Sequence, residues 1–154
     1  DKESGLALMN MGISQKKLDR KQEALVSFGK GTKVRMPMAE NWTRLLILQA
    51  ELGLNDEAEA TIQDGIEKFP NEWELIKNSA TYFLTKKDKT KQDLLNALEL
   101  FNRSHSMKKN NKDAILGCAS AHFELGNIEL AKEYLLMLTA EQQKHPLIQQ
   151  MLQQ

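Results

Sequence analysis

Histidine and cysteine side chains are the residues of this chain that could bind a transition metal. The sequence has three histidines and one cysteine: His105, His122, His145 and Cys118. A structural zinc site needs four ligands, usually arranged as close pairs about two to five residues apart. The spacing of these four residues does not match such a set, so we predict no metal site. We also predict that the single thiol, Cys118, is buried and unreactive.

Hydroxyl and carboxylate side chains are plentiful, but none forms a local pattern of a nucleophile, a base and a group that orients the base. The eight glycines are scattered, and none belongs to the GxxxxGK pattern whose backbone holds phosphate groups. We therefore predict that the chain is not an enzyme and binds no cofactor.

Two lysine clusters, in residues 86–91 and 108–112, could in principle bind nucleic acid or anionic lipid. The chain as a whole carries 21 basic and 21 acidic side chains, whereas domains that bind duplexes normally have a basic excess. The helical pattern described below places the two clusters at opposite ends of the helices, so they should not merge into one patch. We predict that both are solvated turns and that nucleic acid is not a partner.

Apolar residues recur every three or four positions along most of the chain, for example in residues 45–52. Runs of alternating Val, Ile and Thr, typical of strands, are missing. The three prolines, Pro37, Pro70 and Pro146, lie where the helical pattern breaks. These features predict an all-α chain that forms a single domain over residues 1–154. No run of eighteen apolar residues occurs, which predicts that no helix spans a membrane.

The chain begins with DKESGLALMN, which has no initiator Met and no signal-peptide pattern. We expect that it is a piece of a longer protein. Its compartment stays open on the sequence alone.

Four alanines recur at intervals of 34, 39 and 34 residues, at Ala24, Ala58, Ala97 and Ala131. Each is followed four positions later by a larger apolar residue: Phe28, Ile62, Phe101 and Leu135. A small residue lets two antiparallel helices approach closely, and the larger one lies on the same helical face. The polar stretch at 85–93 accounts for the longer interval as a five-residue insertion in a turn. A near-echo of ELGLNDEAE as ELGNIELAK supports the same repeat.

With this period the chain resembles a tetratricopeptide-repeat (TPR) array, whose pattern is Trp-x2-Leu-Gly-x2-Tyr, then Ala-x3-Phe, then Pro. The residues that match best are those of the second copy: Trp42, Leu45, Ala58, Ile62 and Pro70. The implied repeats cover about 5–38, 39–72, 73–111 and 112–145, and a short terminal helix covers 146–154. The resemblance implies a right-handed α-solenoid of antiparallel helix pairs, the TPR superhelix.

The chain departs from the family pattern in two places. Leu46 stands where the family prefers glycine, so we expect the second helix pair to be splayed or compensated elsewhere. Three copies keep the small residue that the family has near the end of its second helix: Gly31, Gly65 and Ser104. The fourth copy has Leu138 there, so we expect regular stacking to end near residue 145. His122 takes the place of the family's tyrosine, which implies a role in packing between helices.

In the family, the first helices of the repeats line a concave groove that holds a peptide or helix of another protein. Carried over to this chain, the groove positions are Met9, Ile13, Lys17, Thr43, Ile47, Glu51, Lys77, Thr81, Leu84, Leu116, Ser120 and Phe123. The apolar members form a strip edged by carboxylates. Such a surface would suit an amphipathic helix or an extended apolar segment with some positive charge. For Leu84 and Phe123, packing between helices is an equal alternative.

Some members of the family grip a terminal carboxylate with a clamp of lysines and asparagines. The corresponding positions here hold Met9, Ile13 and Arg44, and only Lys77 matches the clamp. The resemblance therefore implies a protein-interaction or scaffold module that binds a partner's peptide or helix without this clamp. Two alternatives stay open. The chain could be a structural repeat domain that packs against its parent chain or against a second copy, or a helical domain attached to an enzyme.

Overall fold

The computed structural model describes residues 4–109 and 111–154, in which every regular element is a helix. The helices are α1 (Gly5–Lys17), α2 (Lys21–Gly31), α3 (Ala39–Glu51), α4 (Asn55–Lys68), α5 (Trp73–Thr85), α6 (Lys91–Met107), α7 (Lys112–Glu124), α8 (Ile128–Leu136), α9 (Ala140–Gln143) and α10 (Pro146–Leu152). Short turns join consecutive helices that pack against each other, as in α1–α2, α3–α4 and α7–α8. The predicted all-α fold of antiparallel helix pairs is confirmed.

The chain divides into two compact units, the first unit up to Asn78 and the second unit from Ser79 onward. Helices α1, α3, α5 and α7 begin at the residues where the four predicted repeats begin. The single domain over residues 1–154 stays a prediction, and its residues 1–3 and 110 lie outside the described residues.

The repeated tripeptide Glu-Leu-Gly marks the turn that ends α3 in the first unit and α7 in the second. Gly53 and Gly126 have φ angles of 70° and 81°, in the left-handed region that glycine adopts without a steric penalty. After α3, the N–H of Leu54 donates to the carbonyl of Gln49 at 2.9 Å, which closes the turn. The repeated Glu-Leu-Gly sequence therefore forms the same kind of turn at the end of the first helix in both helix pairs.

In the first unit, the helices approach closely where the sequence places small residues. Ala24 and Ala58 are fully buried. Gly12 of α1 lies so close to the ring of Phe28 of α2 that an added Cβ would come within 2.5 Å of a ring carbon. Gly31 meets the next pair in the same way, because its added Cβ would lie 2.2 Å from the side-chain oxygen of Asn41.

Leu46, which replaces the family's glycine, is fully buried in α3. Its counterpart in the first pair is Gly12, which faces the large ring of Phe28. The residue of the second pair that corresponds to Phe28 is the smaller Ile62, which is also buried. Compared with the first pair, the second pair therefore has a larger residue on its first helix and a smaller one on its second helix.

The second unit uses the same joint between a small residue and an aromatic ring. Ala97 and Ala131 are fully buried, and an added Cβ on Gly117 of α7 would lie 2.4 Å from the ring of Phe101 of α6. The inserted turn between α5 and α6 ends at Thr90, which begins α6 with a capping box.

The C-terminal end of the second unit is irregular. Helix α8 has nine residues, whereas the second helices α4 and α6 have 14 and 17. Leu138 follows α8 and turns into the core, where it joins Leu135 and Ile148 of α10 in one buried cluster. The large residue at 138 therefore coincides with the end of the regular pattern.

Candidate partner-binding site

The first unit contains a pocket of about 360 Å³ between α1 and α3. Its lining residues are Ile13, Lys16, Lys17, Phe28, Arg44 and Ile47. Three of them, Ile13, Lys17 and Ile47, belong to the predicted groove, and the structure brings these three together.

The helical periods of α1 and α3 position the pocket. Ile13 and Lys17 are four residues apart on one face of α1, and Arg44 and Ile47 are three apart on α3. The ring of Phe28 of α2, which lies close to Gly12, also lines the pocket. Ile13 is half-buried against the core, whereas Ile47 is 42% exposed. The result is an apolar floor with side chains that a partner can contact.

The charged residues that line the pocket in the described structure are cations: Lys16, Lys17 and Arg44. Lys16 pairs with Glu51 of α3 at 2.6 Å, and Arg44 pairs with Glu40 at 2.6 Å. Lys17 is exposed and forms no ion pair with any residue that the structure describes. The rim of the pocket is therefore basic.

Glu51, a predicted groove residue, lies beside the pocket and holds two lysines. It binds Lys16 at 2.6 Å and Lys21 at 2.9 Å. The hydrogen bond from Lys16, and then that from Lys21, lowers the pKa of Glu51, and the hydrogen bond to Glu51 raises the pKa of Lys21. The predicted carboxylate edge thus exists at Glu51, but its charge is already neutralised.

Two predicted groove residues lie inside the first unit rather than on its surface. Met9 is 6% exposed and packs in the core cluster with Ala24, Phe28 and Leu48. Thr43 is 7% exposed, and its hydroxyl donates to the carbonyl of Ala39 within α3. Their burial leaves little of either side chain for a partner to contact, unlike the exposed groove positions that the resemblance implied.

The predicted groove residues of α5 fall in both units and have different surroundings. In the first unit, the ammonium of Lys77 lies over the ring of Trp73, 5.1 Å from its centroid. In the second unit, Thr81 is exposed and Leu84 is half-buried. The carbonyl of Thr81 accepts a hydrogen bond from the hydroxyl of Thr85 at 2.8 Å.

The predicted groove residues of α7 contribute to the core of the second unit. Leu116 and Phe123 pack against the cluster formed by Ile115, Ala119, Leu135, Leu138 and Ile148. Ser120 between them is half-buried. For Phe123, the structure therefore shows the packing alternative, and Leu116 shares this role.

The family resemblance also implied a groove position for Lys16, which lies three residues after Ile13. Arg44 was considered only as a clamp position, although it lies three residues before Ile47 on the same helical face. Phe28 was recognised only as the large residue paired with Ala24.

A second depression of about 530 Å³ lies in the first unit, between α2 and α4 and above α3. Its lining mixes apolar residues such as Leu25 and Val26 with polar residues, and Val26 is 57% exposed. On its floor, the indole N–H of Trp42 donates to Asp64 at 2.6 Å. Sequence analysis gave no indication of this surface.

Cys118 is buried in the second unit, as predicted. Its Sγ lies 3.5 Å from the side-chain oxygen of Asn102, which also accepts a 2.6 Å hydrogen bond from the hydroxyl of Tyr134. Burial raises the pKa of the Cys118 thiol to about 12, so the reactive thiolate is suppressed. Among residues 4–109 and 111–154, no group of three His, Cys, Asp or Glu residues could hold a metal ion.

His122 packs between α7 and α8, as its position in the repeat implies. Its ring stacks on that of Tyr134 with 5.5 Å between centroids, and Nδ1 lies 3.4 Å from the side-chain nitrogen of Asn127. Burial lowers the pKa of His122. The uncharged imidazole is therefore the form that this packing favours.

The lysine-rich turn is tied into the second unit by two ion pairs. Lys86 binds Asp93 at 3.1 Å, and Lys89 binds Glu124 at 3.0 Å. Burial acts to raise the pKa of Asp93, but hydrogen bonds from Thr90 and Lys86 outweigh it, so the pKa is lowered. These lysines stabilise the turn and the start of α6, whereas Lys87 in the turn and Lys91 at the start of α6 are exposed.

A sequence profile of the tetratricopeptide repeat family matches residues 90–154, from the capping box of α6 to the end of the chain. This part of the chain is therefore similar to the tetratricopeptide repeat family. The TPR resemblance is thereby confirmed, and members of this family generally serve as protein–protein interaction modules. No curated protein sequence matches the chain.

The fold of the chain is similar to those of several solved TPR structures. TTC0263, a thermophilic TPR protein in Thermus thermophilus, has a TM-score of 0.70 and 18% identity, covering 96% of this chain and 79% of that chain. A tetratricopeptide repeat protein from Parabacteroides merdae has a TM-score of 0.78 and 18% identity, covering 96% of this chain and 56% of that one. MamA AMB-1 has a TM-score of 0.76 and 13% identity, covering 96% of this chain and 78% of that chain. At these identities the likeness shows the TPR fold alone.

TPR proteins are typically scaffolds without enzymatic activity. No helix in the described residues is long and apolar enough to cross a membrane.

Proposed function

We propose that this TPR chain is a protein-interaction module that binds a segment of a partner protein on the α1–α3 face of its first unit. The observation that carries the proposal is the pocket whose floor is formed by Ile13, Phe28 and Ile47. The general role of TPR repeats supports a protein partner.

The pocket suits one anchoring side chain of a peptide or helix. Its volume of about 360 Å³ exceeds that of a single leucine or phenylalanine side chain, and Ile47 leaves apolar surface exposed beside it. Burying such a side chain contributes roughly 1.5–3 kcal/mol. A few anchors of this kind usually carry most of the binding energy of an interface.

The alternative, a structural repeat domain or a self-associating one, is favoured by a different surface. Ala7 and Met11 on α1 are exposed, whereas the corresponding residues of α7, Ala114 and Cys118, are fully buried in the second unit. Among the described residues, none covers this face of α1. A helix from the parent chain or from a second copy could cover it.

The test compares two neutral substitutions of exposed apolar residues, Ile47→Gln in the pocket and Val26→Gln in the second depression. A photo-crosslinking residue at position 47 would capture a partner from cells that express the protein, and the crosslinked partner peptide would be identified and synthesised. We expect Ile47→Gln to weaken binding of that peptide about tenfold, which corresponds to about 1.4 kcal/mol, and Val26→Gln to leave it unchanged.

Far-ultraviolet circular dichroism and melting would verify that both variants fold. Loss of binding with Val26→Gln and retention with Ile47→Gln would assign function to the second depression instead. Equal binding by both variants, together with a dimer in sedimentation analysis that Met11→Gln abolishes, would support the self-associating alternative.

A further inference from the structure

We propose that the α1–α3 pocket selects an acidic segment, in which an apolar anchor residue is flanked by carboxylates. The inference deepens the proposed function and rests on it. It reverses the sequence-based expectation of a positively charged partner.

The charge of the pocket rim carries the inference. Lys16 and Lys17 extend from α1 and Arg44 from α3, so cations lie on both sides of the apolar floor. The carboxylates that pair with this rim, Glu40 and Glu51, do not line the pocket and already bind Arg44 and Lys16. A basic segment would bring its charges against three cations, whereas an acidic one would complement them.

The ion pair between Lys16 and Glu51 can be exchanged without leaving Glu51 unpaired. Glu51 binds Lys21 as well as Lys16, so a partner carboxylate can take Lys16 while Lys21 keeps Glu51. Exposed ion pairs of this kind contribute little to stability, so releasing one opposes binding only weakly.

Lys17 provides the most direct contact for a partner carboxylate. It lines the pocket, is exposed, and has no ion pair among the described residues that would have to be broken. Arg44 stands across the floor, where its guanidinium contacts Glu40 through both Nε and Nη2. The two cations therefore favour acidic residues on both sides of the anchor, rather than one terminal carboxylate.

The experiment selects peptides from a phage-displayed library of random linear sequences on the wild-type chain and, in parallel, on Ile47→Gln. We expect the wild type to enrich peptides in which Leu, Ile or Phe is flanked by Asp or Glu, and Ile47→Gln to lose this enrichment. The most enriched peptide is then synthesised with a fluorescent label and with its C-terminus amidated, so that no terminal carboxylate contributes.

Binding of this peptide is measured for the wild type, for Lys17→Glu, and for the matched control Lys30→Glu. Lys30 is exposed on α2 outside the pocket, so both variants change the net charge equally. We expect Lys17→Glu to weaken binding about 5- to 10-fold, Lys30→Glu to leave it nearly unchanged, and added NaCl to weaken binding to the wild type.

The outcomes separate this inference from the proposed function. Enrichment of basic or uncharged peptides that depends on Ile47 would overturn the acidic-segment inference and leave the pocket as the binding site. Lys17→Glu binding as tightly as wild type would also overturn it. Enrichment that is the same on Ile47→Gln, or no enrichment on the wild type, would count against the pocket itself.

Discussion

The same stretch of the first helix forms an open pocket in the first unit and part of the core in the second. In the first unit, Ile13 and Ile47 lie at the ninth position of their repeats and line a pocket with a basic rim. In the second unit, the ninth position of α7 holds the polar Ser120, and the apolar residues on either side of it, Leu116 and Phe123, pack against the core. The twelfth position of the repeat therefore lines a pocket in the first unit, through Lys16, and packs against the core in the second, through Phe123.

The chain that follows α7 explains the difference. Helix α8 is short, and the segment after it folds back so that Leu138 and Ile148 enter the same cluster as the α7 side chains. In the first unit, α2 supplies the ring of Phe28 as a floor, and Ile47 stays 42% exposed. What comes next along the chain thus determines how much of the face is left for a partner.

The largest expected effect sharpens this contrast. Phe123→Ala should lower the free energy of unfolding of the second unit by about 2–3 kcal/mol, less than for a fully buried phenylalanine because Phe123 is partly exposed. Ile47→Ala should change the stability of the first unit by less than about 1 kcal/mol, because its side chain is 42% exposed. Native-state hydrogen exchange of α7 and α3 amides measures the two effects separately. Equal losses of stability from the two substitutions would mean that Ile47 contributes to the core of its unit as much as Phe123 does.

The second prediction concerns the close contact between a glycine and an aromatic ring, which occurs once within each unit. Gly12→Ala and Gly117→Ala should each destabilise their unit by about 1–2 kcal/mol, because the new methyl group would overlap the ring of Phe28 or Phe101. Gly29→Ala is the matched control. No atom lies within 4 Å of its added Cβ, so the better helix former should stabilise the first unit by about 0.5–1 kcal/mol.

Chemical denaturation, followed by circular dichroism, measures all three glycine variants. A tolerated Gly117→Ala beside a disruptive Gly12→Ala would show that the joint is tight in the first unit alone. A loss of stability with Gly29→Ala would contradict the account for both units, since the change would then act through the backbone rather than through the ring.

The sequence predicted the features that depend on neighbours close along the chain. Ala24 and Phe28 are four residues apart and therefore lie on one face of a helix, and Gly53 marks the turn that ends a helix. Both features depend only on residues that are close together in the sequence. How deeply each residue is buried could not be predicted in this way. Met9 and Ile13 share a face of α1, but only Met9 is covered by the packing of α2 and α3. The ion pairs that neutralise the carboxylate beside the pocket were also not predicted from the sequence. The pairing of Lys21 with Glu51 requires two helices that are far apart in sequence.

The smallest effect uses the eleventh position of the first helix, where the two units differ in chemistry. The first unit has Gln15 there, which accepts a 2.6 Å hydrogen bond from Ser27. The second unit has His122, stacked on Tyr134, and burial lowers its pKa below the ordinary value of 6.5. The unfolded chain therefore binds a proton at a higher pH than the folded chain does. The stability that His122 contributes is complete above pH 6.5 and is lost as the pH falls through the folded-state pKa.

We expect hydrogen exchange of α7 and α8 amides to accelerate in relative terms as the pH is lowered below 6.5, after correction for intrinsic rates. Both tryptophans, Trp42 and Trp73, lie in the first unit, so their fluorescence during denaturation reports that unit, which should change less over the same range. His122→Gln, which installs the residue type found in the first unit, should remove the pH dependence of the second. If the dependence persists in that variant, it arises from another titrating group, and the contrast at the eleventh position has no consequence for stability.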